Sequence, residues 1–342
     1  MKIPGLSRLQ QVKQQLQRRL SSKSLILMYH RVAEVDLDPW SLCVTPQHFA
    51  EHLEVLQKYA YPISLQQLAQ AHRDGNIPHR AVAITFDDGY ADNLHHAKPL
   101  LERYGIPATV FVSTGYLGKQ REFWWDELER LLLQPQKLPE KFSLKIKTTT
   151  HYWELGVAAD CSEDDYDRDR HAWEAKPGSR LFFYYSIWQL LQPLTESDRL
   201  KALDEISAWA MVEAIARKTH YSLLPEELLA LKQGELIEIG AHTVTHPFLS
   251  AHSLAFQRHE IQQSKADLEE ILNRPVTSFA YPHGDYNAET VNLIPEVGFA
   301  CACSCIQEIV WQKSDCFQLP RFAVKKWNGE EFAKQLLRWF ND

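Results

Sequence analysis

Residues 81–90 read AVAITFDDGY, an apolar, β-branched run that ends in two adjacent carboxylates and a glycine. The run has the length and residue types of a buried strand. An ordinary turn uses one Asp, because a second carboxylate brings repulsion and raises a pKa unless a cation sits nearby. Asp87 and Asp88 therefore call for a positive partner. In extended backbone their side chains would point to opposite faces, so the chain must turn here, and Gly89 supplies the freedom to do so. One carboxylate can then bind a metal while the other faces the bound water as base.

Outward from this stretch, short apolar runs alternate with helical patterns. LILMYH (25–30), ATVFVST (108–114), LIEIGAH (236–242), SFAYPHG (278–284), FACACS and QLPRFAV read as strands; PQHFAEHLEVLQKY and ADNLHHAKPLLERYG read as helices between them. This alternation predicts a parallel α/β architecture, and polar residues gather where the runs end, as at the C-terminal face of a barrel. Between about 119 and 235 the rhythm breaks. EFWWDELERLLL looks helical, KFSLKIKTTTHYWEL alternates like a hairpin, DCSEDDYDRDR is an acidic solvated stretch, and 181–218 is helical again. An excursion this long is an inserted subdomain, expected beside the mouth of the site.

The chain has 342 residues, 45% hydrophobic and 24% charged, which is the composition of a folded protein. A net charge of −7 leaves no electrostatic footprint for nucleic acid. Residues 1–23 carry Lys2, Arg8, Lys13, Arg18, Arg19 and Lys23 without an acidic residue, and Leu6, Leu9, Val12, Leu16 and Leu20 recur at helical spacing. This basic amphipathic helix (1–24) could touch an anionic membrane surface or pack on the domain, and packing is the commoner use of such a stripe. No run reaches the roughly 20 apolar residues of a membrane span, and no secretory signal pattern precedes the sparse cysteines. The expected location is the cytoplasm, with contact at the inner membrane face as an option. The CACSC at 301–305 could bind metal, but its setting in an apolar run reads better as core.

The second informative stretch is EIGAHTVTHPFLS. His242 and His246 follow a predicted strand, and four extended residues would part them by about 13 Å, so the chain must curl for both to reach one ion. Two His and one carboxylate are a recurrent shell for a catalytic divalent metal, with a position left for water.

TFDDGY, HTVTH and FAYPHGDYN, in that order, resemble the first three motifs of the polysaccharide deacetylases, carbohydrate esterase family 4. The resemblance covers residues 25–118 and 236–325. It implies a distorted (β/α) barrel of about seven parallel strands, residues 25–118 and 236–342, interrupted by an α+β insert over 119–235. It also implies metal-dependent deacetylation of an N-acetylhexosamine in a glycan, releasing acetate. Carried over, Asp87 is the general base, and Asp88, His242 and His246 hold one divalent metal ion, zinc by preference with other ions accepted. Tyr90, Trp124, Trp125 and Tyr281 could stack on sugar rings, and Asp126 could hydrogen-bond the sugar or orient a catalytic partner. FWWDELE resembles a family pattern lining the groove, but it also reads as the start of a core helix.

Two departures qualify the resemblance. Many members carry an Arg in the third motif that contacts the catalytic Asp; here that place is Ala280, and Arg321 in QLPRFAV is the substitute candidate. No histidine follows residue 284 to supply the usual C-terminal general acid. Instead His30 ends the first strand, resembling circularly permuted members that act on poly-N-acetylglucosamine, in which the acid comes first. The alternatives are a buried structural role for His30, an amidohydrolase acting on a small non-sugar amide, and a catalytically silent glycan-binding protein of the same fold.

Overall fold

The computed structural model describes residues 23–161, 171–213 and 215–341. Seven strands run parallel in one sheet: β1 (Ser24–Tyr29), β2 (Ala81–Phe86), β3 (Ala108–Val112), β4 (Ile237–Ala241), β5 (Ser278–Ala280), β6 (Cys301–Cys303) and β7 (Phe322–Ala323). Their spatial order is β6-β5-β4-β3-β2-β1-β7, with the short strand Tyr61–Pro62 added beside β2. Cys303 pairs in parallel with Leu319 while Phe322 pairs with Leu27, so residues 319–323 join the two ends of the sheet. The result is the distorted (β/α) barrel expected from the sequence.

The period-2 alternation of strands explains which residues reach the site. On β1, β2 and β3 the residues Leu25, Leu27, Tyr29, Val82, Ile84, Phe86, Val110 and Val112 lie under the helices in the larger core. Their neighbours Ile26, Ala83 and Phe111 turn inward with Ala280, Cys301 and Cys303. Small residues dominate this inner face, because a narrow barrel must be filled without voids. Gly240 shows how tight the filling is: a Cβ there would lie 2.4 Å from the Phe111 ring. Continuing the same parity past the strand ends turns His30, Asp87, His242 and Arg321 inward.

The helices are α1 (Pro46–Tyr59), α2 (Leu65–Asp74), α3 (Lys98–Tyr104), α4 (Trp124–Leu133), α5 (Arg180–Leu191), α6 (Glu196–Ala210), α7 (Pro225–Lys232), α8 (Leu254–Leu272), α9 (Ala288–Val297) and α10 (Gly329–Asn341). Their limits are written in the chain. Ser64 and Gln67 form a reciprocal cap on α2, and Gly75 in the left-handed region ends it. Ser253 caps α8 through the Phe256 N–H. Among the described residues, no helix is long and apolar enough to cross a membrane.

The excursion between β3 and β4 builds a second core of its own. Trp124, Leu128 and Leu131 of α4, Phe142 and Leu144 of the hairpin Lys141–Ile146/Thr149–Glu154, and Tyr184, Ile187, Leu203 and Ile206 of α5 and α6 pack together. The far boundary differs from the sequence reading. Leu223, Leu228 and Leu231 belong to the barrel core, and Ser222 bridges to Tyr90, so the chain rejoins the barrel at about residue 222 and not 235. α7 was misplaced because its apolar residues read equally well as insert or barrel until their partners are known. The basic segment 1–22 and most of the acidic stretch, 162–170, lie outside the described residues.

Candidate active site

At the end of β2 the Asp87 N–H donates to the Tyr29 carbonyl at 3.0 Å, which keeps Asp87 in the sheet. Asp88 (φ 74°) and Gly89 (φ 83°) then take left-handed conformations. A Cβ on Gly89 would come within 3.1 Å of Val112, so both its φ and its packing require glycine. The turn sends the two carboxylates to different partners. Arg321, fully buried, donates from Nη1 to Asp87 Oδ1 and from Nη2 to Asp87 Oδ2, each at 2.7 Å. Its Nη1 also reaches Thr85 Oγ1 at 3.1 Å and its Nε the Ser304 carbonyl at 2.9 Å. Burial pushes the Asp87 carboxyl up, but the guanidinium and the neighbouring histidines outweigh it and hold it below its ordinary value.

Asp88 faces the segment after β4. Its Oδ1 lies 3.5 Å from His242 Nε2 and 3.2 Å from His246 Nε2. The curl that the sequence demanded is made by left-handed Thr243 (φ 65°) and His246 (φ 52°), and it is held from three sides. The Thr243 hydroxyl accepts the His246 N–H at 3.1 Å. The Glu260 carboxylate on α8 accepts the Val244 N–H at 2.9 Å, the Thr245 N–H at 2.8 Å and the Thr245 hydroxyl at 2.8 Å. Gly115, after β3, donates to the Val244 carbonyl at 2.8 Å. Backbone strain of this kind persists only where surroundings over-determine it, and it collects at functional sites.

The chemistry of this donor set fits a divalent cation. One ligand atom each from Asp88, His242 and His246 lies within 4.8 Å of the other two, all three residues are buried, and this is the group of metal-ligating side chains found among the described residues. Asp88 Oδ1 and His246 Nδ1 are buried without a hydrogen-bond partner. Burial pushes the His246 imidazole down to about 4, which keeps it in the neutral form a metal needs. His242 Nδ1 sits 2.8 Å from the Ala280 carbonyl; donation there leaves Nε2 as the free lone pair aimed at Asp88. Ala280, at the place of the missing Arg, thus serves through its backbone.

Asp87, Asp88, His242, His246 and His30 share the wall of one pocket of about 150 Å³, with Trp40, Leu42, Trp125, Trp188, His283 and Cys305. His30 ends β1 beside β2, and its carbonyl accepts from Asn93 Nδ2 at 2.9 Å. Next to it Arg31 pairs with Asp92 at 3.0 Å. Of the residues expected to meet substrate, Trp125 lines the pocket, its ring 4.7 Å from that of His246.

The other expected substrate contacts are corrected. Tyr90 is fully buried: its hydroxyl donates to Asp126 Oδ2 at 2.7 Å and accepts the Trp125 indole N–H at 2.9 Å, and the Arg31 guanidinium stacks on its ring. Asp126 is thereby turned into the insert, and burial pushes its carboxyl up to about 7. Trp124 is core, lying between Trp188 and the Arg199 guanidinium. Tyr281 has the outward parity of β5, is fully buried and donates to the Phe317 carbonyl at 2.8 Å. Arg321, by contrast, makes the contact to Asp87 for which it was the substitute candidate, and does so from behind the pocket wall and not as a substrate contact. Cys301 and Cys303 are buried in the barrel interior, as the core reading expected.

Sequence reasoning missed Trp40, Trp188 and His283. His283 had a signal, since it lies within the third motif, FAYPHGDYN; it takes φ 57° and stacks on Phe248 at 3.8 Å. Trp40 and Trp188 come from segments far apart in the chain, with nothing local to mark them.

A parallel barrel whose strand ends gather an Asp-Arg pair and an Asp-His-His cluster defines a class of candidate hydrolases. Within that class the chain belongs to the polysaccharide deacetylase family: the family model matches residues 74–179 and 197–302, more than half of the sequence. It is similar to a poly-beta-1,6-N-acetyl-D-glucosamine N-deacetylase of Staphylococcus aureus, 28% identical over 112 residues, a stretch covering 29% of this chain and 39% of that relative. Among solved structures it resembles IcaB from Ammonifex degensii (TM-score 0.59, 16% identity, 94% of this chain and 98% of that one). It also resembles the Streptococcus pyogenes deacetylase PplD in complex with acetate (TM-score 0.58, 18% identity, 94% and 100%). At these identities the two structures speak for the fold.

Proposed function

We propose that the protein is a metal-dependent deacetylase that hydrolyses the acetamide of N-acetylhexosamine units in a polysaccharide, releasing acetate and leaving a free amine. The observation that carries this reading is the pairing of two neighbouring carboxylates with separate jobs: Asp88 converges with His242 and His246, while Asp87 is clamped by Arg321 on the same pocket wall. Support for the polymer comes from the family match and from the named activity of the staphylococcal relative.

Asp88, His242 and His246 would hold the divalent ion, and two nitrogens with one oxygen suit zinc. When bound, such an ion lowers the pKa of a water and polarises a carbonyl. Asp87 stays ionised in the grip of Arg321, and its remaining lone pairs take the proton of the attacking water. His30, which lines the same pocket, donates a proton to the departing nitrogen, because an amine leaves poorly as an anion. Trp125 and Trp188 form an apolar wall that excludes water from the acetyl group.

The test is acetate release from N-acetylglucosamine oligomers by zinc-loaded protein and its Asp87→Asn variant. The expected result is release by the wild type and a loss of at least about a hundredfold in the variant, with zinc content unchanged. Equal release by the two would remove Asp87 from its role.

A further inference from the structure

The pocket does not end at the metal cluster. From Trp125, 4% exposed, aromatic rings lead outward along one wall to Trp173, 49% exposed. Trp188 and Trp40 line the pocket, and their rings lie 4.4 Å apart. Trp40 and Trp173 follow at 6.0 Å, and the His171 ring stacks on Trp173 at 4.4 Å. These residues come from the loop after β1 and from the insert.

The wall is built and held. Asp38 accepts the Leu42 and Cys43 N–H groups at 2.8 and 2.9 Å, fixing the loop that carries Trp40. The Trp40 indole N–H donates to the Tyr184 hydroxyl at 2.6 Å, which pins the ring's edge. The Ala172 N–H donates to the Pro39 carbonyl at 2.9 Å, tying the turn that bears Trp173 to the same loop. Rigid aromatic faces bind at little cost in conformational entropy.

We propose that Trp188, Trp40 and Trp173 form an extended binding wall for pyranose rings flanking the acetamide under attack, so that the substrate is an oligomer several sugars long. This rests on the polysaccharide reading and extends it. The wall is continuous with the catalytic pocket, and its chemistry favours sugar over a lipid tail. Leu42 is the single aliphatic residue among the described residues lining the pocket, whereas an isoprenoid would call for many. Flat indole faces with polar edges suit the C–H faces and hydroxyl rims of a pyranose.

The experiment measures kcat/KM for acetate release from N-acetylglucosamine, its dimer and its tetramer with zinc-loaded wild type, Trp173→Ala, Trp40→Ala and Trp173→Phe. In parallel, calorimetry measures Kd for the same sugars in the Asp87→Asn background. Wild-type kcat/KM should climb with chain length, and Trp173→Ala should cut the tetramer-to-monomer ratio about three- to tenfold. Trp40→Ala should cut it further, and Trp173→Phe, which keeps a ring, should retain most of it. A ratio that is flat in the wild type, or untouched in Trp173→Ala, would overturn the wall. So would octyl N-acetylglucosaminide binding as tightly as the tetramer. Should no acetate appear from any sugar, the deacetylase reading fails by itself. The wall then stands if the tetramer binds more tightly than the monomer and Trp173→Ala removes the difference, and falls if it does not.

Discussion

Both oxygens of Asp87 take hydrogen bonds from one guanidinium that is itself fully buried behind the pocket wall, so neither partner can be removed quietly. Arg321→Met strands a buried carboxylate and should cost about 3–5 kcal/mol in urea unfolding. Asp87→Asn/Arg321→Met should cost clearly less than the sum of the two single changes, since the pair acts as a unit. The carboxylates of the insert are in the opposite situation. Burial pushes Asp126 up to about 7 against the pull of Arg31 and Arg217, and Glu129 likewise to about 7 against Arg217. Unfolded, each returns to about 4, so between about pH 4 and pH 7 the native state holds more protons than the unfolded one. The contribution of these two groups is therefore greatest below that window, falls as pH rises through it, and levels off above, opposite in sign to that of Asp87, whose lowered carboxyl loses stability as pH falls. Asp126→Asn deletes one titration and should flatten the decline of Tm between about pH 5 and pH 7.5. A slope identical to wild type would show that Asp126 ionises normally.

Strands and helices set the site by parity and by caps, and two substitutions away from the pocket should reveal it. The segment after β4 keeps its left-handed residues because Glu260 of α8 collects two of its N–H groups and a hydroxyl. Glu260→Ala leaves those donors unpaired and lets His246 swing. Zinc affinity, read by competition with a chromophoric chelator, should fall about 10- to 100-fold while far-ultraviolet circular dichroism stays as in wild type. Gly240 serves the barrel interior instead. An Ala methyl would need to enter the Phe111 ring, so Gly240→Ala should destabilise by about 1–3 kcal/mol or more. Adding Phe111→Leu should recover part of that loss by vacating the space.

At the scale of the molecule, what could be read from the chain was what is local. The strands, the turn after β2 and the curl after β4 depend on residues within a few positions of one another, and Arg321 was found by asking which strand end could supply a cation. Parity, applied strictly, would also have turned Tyr281 away from the site, because Ala280 faces inward. The aromatic wall could not be read, because Trp40 and Trp188 meet only once the insert has folded back over the barrel mouth. The metal cluster has a molecular consequence of the same long-range kind. Its ligands follow β2 and β4, which are separated by β3, so a bound ion would tie three adjacent strands and must be released for the barrel to unfold. Binding to the native state alone stabilises by mass action, about 3 kcal/mol when free metal is a hundred times its Kd. Zinc-loaded wild type should therefore lose several degrees of Tm on adding excess chelator and regain them on adding zinc. His242→Ala, with its ligand gone, should melt at one temperature under all three conditions. A wild type that ignores both chelator and zinc would mean that Asp88, His242 and His246 hold one another without an ion, and the hydrolytic reading would lose its foundation.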